Sequence, residues 1–165
     1  MAIVYLHTGS NIGDRAANLA RARNLINERI GEIKTISSIY ETEAWGVRDQ
    51  DDFYNQALAI ETALSPIELL KCTKQIEKDM GRVKERKWYK RLIDVDILFY
   101  DTLVVEEEHL KIPHREMTNR NFVLIPMLEI APDLEHPILQ KTMEEIYWAS
   151  EDPLEVVLVD SENKK

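Results

Sequence analysis

The order of the predicted strands and helices constrains the fold of this 165-residue chain more than any other feature. Alternation of apolar and polar residues predicts strands, whereas apolar residues three and four positions apart predict helices. The chain begins as strand, helix, strand, strand, helix and strand; the strands are predicted at Ala2–Thr8, Ile33–Thr42, Phe53–Thr62 and Ile93–Phe99, and the helices at 15–30 and 66–80. This order is typical of the split, ferredoxin-like plan, an antiparallel sheet with two helices on one face. Later helices would cover the other face, so we expect an α+β protein with three layers, α-β-α.

Local signals set the boundaries of these elements. Gly9–Asp14 is predicted as the turn before the first helix, with Asp14 as N-cap and Gly31 as the residue that ends the helix. A Ser-Pro-x-Glu pattern from Ser65 predicts a capping box at the second helix. Beyond the fourth strand we predict a short strand at Leu103–Val105, a loop at Leu110–His114, a helix at Asn119–Leu128 that Pro126 bends or ends, a helix at Thr142–Ala149 and an edge strand at Val156–Val159.

A pair of aspartates beside a basic cluster is the strongest functional signal. Asp94 and Asp96 share one parity of a predicted strand, which aims both carboxylates at one side, roughly 6–7 Å apart. The alternating residues of that strand are apolar and are predicted to face a core: Ile93, Val95, Ile97 and Phe99. Just before them, six of the ten residues from Arg82 to Arg91 are Lys or Arg. Aligned carboxylates repel unless a cation lies between them, and Mg²⁺ prefers such oxygen ligands together with phosphate oxygens. The combination predicts phosphoryl transfer, which depends on positioning and charge neutralisation.

Each half of this signal also has an ordinary structural explanation. An Asp-x-Asp pattern is common on the solvated face of a strand, and a basic segment is common in an exposed loop. The two features are adjacent in sequence and follow a predicted helix end at Gly81. Their combination therefore favours the metal and phosphate site.

Composition narrows the class of protein. The chain has a net charge of -9 and only 21 Lys and Arg residues, so the basic cluster is a local anion site and we expect no nucleic-acid partner. A length of 165 residues with 44% hydrophobic residues suits one domain, residues 1–165. The sequence shows neither an apolar run of membrane-spanning length nor a signal-peptide pattern, so we expect a cytoplasmic protein without a membrane partner. The single cysteine, Cys72, lies in a helical pattern and is expected to be structural.

Short motifs over most of the chain, to about Pro137, match the pattern of one enzyme family. The matching pieces are Gly9–Asp14, Tyr40–Thr42, Asp49-Gln50 with Phe53 and Asn55, Glu77 with Gly81-Arg82, Trp88, Arg91–Ile97, Ile112–His114, Arg120–Pro126 and Glu129–Pro132. Each piece is weak alone, but in this order and at these spacings they are very specific. The chain resembles the 6-hydroxymethyl-7,8-dihydropterin pyrophosphokinases of the folate pathway.

The resemblance implies a reaction and its catalytic residues. Enzymes of this family move a whole pyrophosphate from ATP to the hydroxymethyl group of the pterin and release AMP. By position, Asp94 and Asp96 resemble the ligands of two Mg²⁺ ions that bridge the ATP phosphates and the attacking hydroxyl. Arg82 and Arg91 resemble the arginines that stabilise charge on the transferring group.

The resemblance also implies which residues bind the two substrates. The residues implied for the pterin are Thr42, Phe53, Asn55, Trp88 and Phe122, with the two phenylalanines on either side of the ring. Without the resemblance, the same two phenylalanines would be read as ordinary core residues. The residues implied for ATP are Glu77, Arg82, Trp88, Arg91, His114 and Arg120. We expect small-molecule substrates as partners and a monomer.

Two functions of other classes compete with this one. Asp-x-Asp also holds metals in transferases of nucleotide-sugar diphosphates, which would not require the set of Phe53, Asn55 and Phe122. A non-catalytic, ferredoxin-like ligand sensor would need neither the aspartate pair nor the basic cluster. The chain also departs from the family pattern at Tyr89-Lys90, where Gly-Pro is usual.

Overall fold

A six-stranded antiparallel sheet forms the centre of the computed structural model, which describes residues 1–43, 52–81 and 92–159. The strands in these residues are β1 (Ala2–Ser10), β2 (Gly31–Ile36), β3 (Tyr40–Thr42), β4 (Phe53–Thr62), β5 (Asp94–Tyr100), β6 (Val105–Glu107), β7 (Leu110–Ile112) and β8 (Val156–Leu158). The helices are α1 (Arg15–Arg29), α2 (Pro66–Gly81), α3 (Asn121–Ile130) and α4 (Met143–Ala149), with a 3-10 turn at Met117–Asn119. Strands β6 and β7 form a separate hairpin.

The sheet order confirms the predicted fold class. Neighbouring strands follow the order β5-β1-β4, and both β2 and β3 pair with β4. If β2 and β3 are counted as one interrupted strand, this is the ferredoxin-like arrangement. Strand β8 extends the sheet beyond β3, as the predicted edge strand. Helices α1 and α2 cover one face and α3 and α4 the other, which gives an α+β protein with three layers.

Two hydrophobic cores hold the layers together. The first lies between the sheet and helices α1 and α2, and its fully buried side chains include Leu6, Leu19, Ile26, Leu58, Ile60, Leu69 and Ile76. The second lies between the sheet and helices α3 and α4, and includes Ala57, Phe99, Leu124, Met127, Met143 and Ile146.

Strand β1 is longer than predicted, and the strand predicted at Ile33–Thr42 is two strands. Gly9 and Ser10 stay in β1 because they pair with Asn55 and Tyr54 at the start of β4, which shortens the predicted glycine-rich turn. Between β2 and β3, the Ser37 hydroxyl accepts a hydrogen bond from the Ala57 N–H at 2.9 Å. The Ser37 carbonyl accepts from the Gln56 side chain and the Ser38 N–H donates to the Glu129 carboxylate, so side chains replace two ladder partners and the strand is interrupted there.

The prediction that Phe99 faces the same core as Ile93, Val95 and Ile97 is wrong. The register between β1 and β5 shifts, because Tyr5 pairs with Phe99 whereas Leu6 pairs with Ile97. Leu98 is therefore an extra residue in β5, and such a bulge turns the following side chain to the other face. Phe99 accordingly packs in the second core, edge-on to the Tyr5 ring.

Three predictions in the last third of the chain also need correction. The strand predicted at Leu103–Val105 lies at Val105–Glu107, and the predicted loop at 110–112 is its hairpin partner β7. Pro113 follows β7 and so removes none of its hydrogen bonds. Helix α3 continues through Pro126 to Ile130. Proline removes the donor that would bond to the carbonyl four residues earlier, which is that of Phe122; the His7 imidazole interacts favourably with this carbonyl.

None of the helices in the described part of the chain combines the length and the apolar character that crossing a membrane requires.

Candidate active site

Strand β5 presents both predicted aspartates on one face, as its periodicity predicts. Asp94 pairs with Gly9 of β1, and Asp96 pairs with His7. Both carboxylate residues are half-buried, whereas Val95 between them is buried on the opposite face. The two aspartates therefore lie at the surface of the sheet where solvent and ligands reach them.

A buried glutamate holds the backbone between the two aspartates. Glu77 of α2 accepts a hydrogen bond from the Val95 N–H through Oε2, at 2.8 Å. Its other oxygen, Oε1, lies 3.4 Å from the Lys74 ammonium group. Glu77 is only 4% exposed, so its carboxylate is directed to the strand and to Lys74. This hydrogen bond holds β5 against α2 and so helps to position Asp94 and Asp96.

A cavity of about 290 Å³ opens on the aspartate face of the sheet. It is lined by His7, Gly9, Thr42, Glu43, Phe53, Asn55, Asp94, Asp96, Arg120 and Phe122. Phe53 and Phe122 are half-buried, and both reach the cavity from different elements, β4 and α3. The Arg120 guanidinium lies 5.7 Å from the centre of the Phe122 ring. A flat ring in this cavity would meet aromatic and cationic groups at its walls.

The amide of Asn55 is fixed at the base of this cavity. Its Nδ2 donates to the Tyr40 carbonyl and to the Thr42 hydroxyl, each at 3.1 Å. Asn55 and Thr42 are both buried, so these bonds hold the amide in one orientation. A fixed amide oxygen and a hydroxyl at a cavity wall suit recognition of the hydrogen-bonding edge of a heterocycle.

A second cavity of about 360 Å³ lies on the other side of Asp96. It is bounded by α2, β5, the β6–β7 hairpin and the segment that follows β7. Its lining includes five basic or imidazole side chains, Lys74, His109, Lys111, His114 and Arg115, and also the carboxylates Glu108 and Glu116. Asp96 belongs to the walls of both cavities. Groups bound in the two cavities would therefore both lie beside Asp96.

Two histidines flank Asp96, and burial lowers the pKa of each. The pKa of His7 falls to about 4, chiefly because its imidazole is enclosed, although Asp96 and the Phe122 carbonyl act in the opposite direction. Burial likewise lowers the pKa of His114, and Asp96 again opposes the shift. Both imidazoles are therefore neutral at pH 7 in the protein without ligands. Among the described residues, the His7 Nε2 atom has no hydrogen-bond partner.

The residues from 5 to 132 match the family model described as 7,8-dihydro-6-hydroxymethylpterin-pyrophosphokinase (HPPK). The chain belongs to this family. A 2-amino-4-hydroxy-6-hydroxymethyldihydropteridine pyrophosphokinase of Aquifex aeolicus is 43% identical over 145 residues, which cover 88% of this chain and 90% of the relative. The enzyme of the same name from Methylorubrum extorquens is 47% identical over 135 residues, 81% of this chain and 85% of the relative.

Solved structures of HPPK-DHPS proteins share the fold. One described as a complex with substrates has a TM-score of 0.73 and 15% identity, and the match covers 90% of this chain. The wild-type protein of Plasmodium falciparum with SDX-DHP has a TM-score of 0.70 and 18% identity, over 89% of this chain. This chain spans 43% of the length of each of those two proteins.

Membership of the HPPK family confirms the predicted class of enzyme, a pterin pyrophosphokinase of folate synthesis. ATP is the co-substrate of this family.

The metal site has to be judged from the side chains themselves. Among the described residues, no group of three or more His, Cys, Asp or Glu side chains is placed to hold a metal ion. Two carboxylates on one face of a strand nevertheless suit Mg²⁺, because Mg²⁺ takes one or two carboxylates and completes its shell with waters and substrate phosphates.

The structure gathers most of the predicted site residues. Those that line the first cavity are Thr42, Phe53, Asn55, Asp94, Asp96, Arg120 and Phe122, and His114 lines the second. Arg120, which the resemblance assigns to ATP, thus lies on the wall with Phe122. Arg82, Trp88 and Arg91 lie outside the described residues.

Five basic or imidazole residues that line the cavities were not among the predicted site residues: His7, Lys74, His109, Lys111 and Arg115. The sequence could have indicated His7, because it lies two residues before Gly9 and so on the same face of β1. The sequence gives no such indication for Lys111 and Arg115, because only the folded hairpin and the turn after it bring them to the second cavity.

Proposed function

We propose that the chain transfers the pyrophosphoryl group of ATP to the hydroxymethyl group of 6-hydroxymethyl-7,8-dihydropterin at the aspartate face of β5. The observation that carries this proposal is the position of Asp96, the residue that lines both cavities. In this arrangement the pterin occupies the first cavity and ATP the second. The pterin hydroxyl attacks the β-phosphorus, the bond from that phosphorus to the α-phosphate oxygen breaks, AMP leaves, and the hydroxyl proton is lost.

Strand β5 contributes to catalysis by placing two carboxylates beside the cavities. Asp94 and Asp96 would bind two Mg²⁺ ions, in keeping with their shared face and half-buried positions. Bound Mg²⁺ supplies neutralisation of phosphate charge and a lower pKa for the attacking hydroxyl. Glu77 keeps the carboxylates in place through its hydrogen bond with the Val95 N–H. We therefore assign Glu77 a positioning role rather than a contact with ATP.

The first cavity suits a flat, polar heterocycle. Phe53 and Phe122 supply two aromatic faces, and Asn55 with Thr42 supplies fixed hydrogen-bonding groups. The second cavity offers a polyphosphate three cationic partners, Lys74, Lys111 and Arg115. Asp96, Glu108 and Glu116 line the same cavity, so bound Mg²⁺ would be needed to offset their negative charge.

A single mixing experiment tests the proposal. Purified protein is combined with ATP, the reduced pterin alcohol and Mg²⁺, and AMP and pterin are measured together over time. AMP formed in step with pterin consumption is the expected result, and chelation of Mg²⁺ should stop both. A metal-dependent transferase of another substrate would leave the pterin unchanged, and a ligand sensor would bind it without AMP formation.

Replacing Phe122 with alanine is expected to weaken pterin binding roughly 10- to 100-fold, because stacking on one aromatic ring contributes about 1–3 kcal/mol. The affinity for ATP should change much less, since Phe122 lines only the first cavity. Calorimetry with the pterin and with a non-hydrolysable ATP analogue measures both.

Trp148→Ala is the matched control, because Trp148 is an aromatic residue that is 76% exposed and lines neither cavity. It should leave both affinities unchanged. Equal weakening of both ligands in Phe122→Ala would show that Phe122 supports the core and does not bind the pterin.

A further inference from the structure

Helix α3 has a cap that comes from a distant part of the chain. Its own N-cap residue, Arg120, makes no side-chain capping bond. The N–H of Asn121, the first residue of the helix, donates instead to the Asp152 carboxylate at 2.8 Å. The Asn121 side-chain amide also lies 3.4 Å from the Asp152 carbonyl oxygen. A carboxylate at this position satisfies a free N–H and opposes the positive end of the helix dipole.

The helical turn capped by Asp152 is the turn that borders the pterin cavity. Phe122 follows Asn121 directly, Arg120 precedes it, and both line that cavity. The first turn of a helix frays most readily when its N–H groups lack acceptors. Loss of the Asp152 carboxylate would therefore act first on the residues that form the aromatic wall.

The segment around Asp152 has its own hydrogen bonds and leads into β8, which pairs with the strand that carries Thr42. The Leu154 N–H donates to the Asp152 Oδ1 atom at 3.0 Å, so one carboxylate bridges two backbone segments. Four residues beyond Asp152 the chain enters β8, which pairs with β3 so that Val156 lies opposite Thr42. One short stretch thus contacts both the helix that carries Phe122 and the strand that carries Thr42. The family model ends at residue 132, so this stretch lies outside the family match.

We propose that Asp152 is a positioning residue for pterin binding, which it supports by capping α3 and so fixing Phe122 in the cavity. This inference rests on the proposed function, because it takes the first cavity as the pterin site. Asp152 itself does not line that cavity. Its loss should therefore change the affinity for pterin and leave the ATP cavity, which contains no residue of α3, unaffected.

The test compares Asp152→Ala with Thr142→Ala. Thr142 caps α4, where its hydroxyl accepts from the Glu145 N–H at 3.2 Å, and α4 lines neither cavity. Both variants lose a helix cap, so both should show a similarly lower melting temperature. Only Asp152→Ala should weaken pterin binding, by about fivefold. Its affinity for the ATP analogue and its turnover at saturating pterin should stay within about twofold of wild type.

Four outcomes are informative. Equal pterin affinity in Asp152→Ala and Thr142→Ala would overturn the proposal, as would equal loss of pterin and ATP affinity in Asp152→Ala. Asp152→Asn keeps the volume and one acceptor oxygen, so it should fold and lose less pterin affinity than alanine; unchanged affinity in both would also overturn the proposal. Phe122→Ala, measured alongside, distinguishes failure of the proposed pterin site from failure of the Asp152 proposal. If Phe122→Ala leaves pterin affinity unchanged, the first cavity is not the pterin site, whatever the Asp152 variants show.

Discussion

Asp96→Ala is expected to lower AMP formation at saturating Mg²⁺ by about 100- to 1000-fold or more, the range found when a charge-stabilising group is removed from an active site. Asp96 lines both cavities, so under the proposed function the loss of its carboxylate removes charge neutralisation at the transferring group. Asp94→Ala should behave similarly, because Asp94 lies on the same face of β5. Turnover measured with both substrates and titrated Mg²⁺ gives the result.

The control for this prediction is Asp133→Ala, which removes an exposed carboxylate that lines neither cavity. It should retain wild-type turnover. Asp96→Ala should also stay folded, since Asp96 is half-buried on a strand whose apolar neighbours Val95 and Ile97 are untouched. Near-wild-type AMP formation by the Asp96 variant, with its melting temperature unchanged, would rule out the metal assignment.

The aspartate pair was predictable because strand alternation depends only on neighbouring residues. The same rule gave the wrong core for Phe99, two positions beyond Ile97. The bulge at Leu98 arises from the pairing of β5 with β1, and that pairing joins residues about ninety positions apart. Local patterns thus identify the strand and its functional face, whereas irregularities set by a partner strand are not visible in them.

The contacts that position the site are also non-local. Glu77 carries a motif signal, but its partner, the Val95 N–H, becomes apparent only when α2 packs against β5. Asp152 is a similar case, because its carboxylate accepts a hydrogen bond from the Asn121 N–H only in the folded chain. Sequence patterns therefore predicted residues that line the cavities better than residues that hold the cavity walls in place, because the latter act through hydrogen bonds to the backbone of distant elements.

Gly31→Ala is expected to lower the free energy of unfolding by about 3 kcal/mol or more, at the upper end of the cost of overpacking. The sequence suggests that Gly31 ends α1, but in the structure it opens β2 opposite Thr62. A Cβ atom at Gly31 would lie 2.0 Å from the Glu61 carbonyl oxygen. That oxygen belongs to the backbone of β4 and cannot rotate away, so β2 would have to separate from β4. Denaturant titration measures the loss, and the melting temperature should fall by about 6–12 °C.

Gly13→Ala provides the comparison, because the two glycines are needed for different reasons. Gly13 has a φ of +66°, and no atom of the described residues lies within 4 Å of the place a Cβ would take, so alanine there meets backbone strain but no clash. That strain should cost about 1–2 kcal/mol. Gly31 has no such dihedral angle, and its cost comes only from the close approach of β2 to β4. A loss for Gly31→Ala no larger than that for Gly13→Ala would show that the two strands can move apart, and that the spacing at Glu61 does not require glycine.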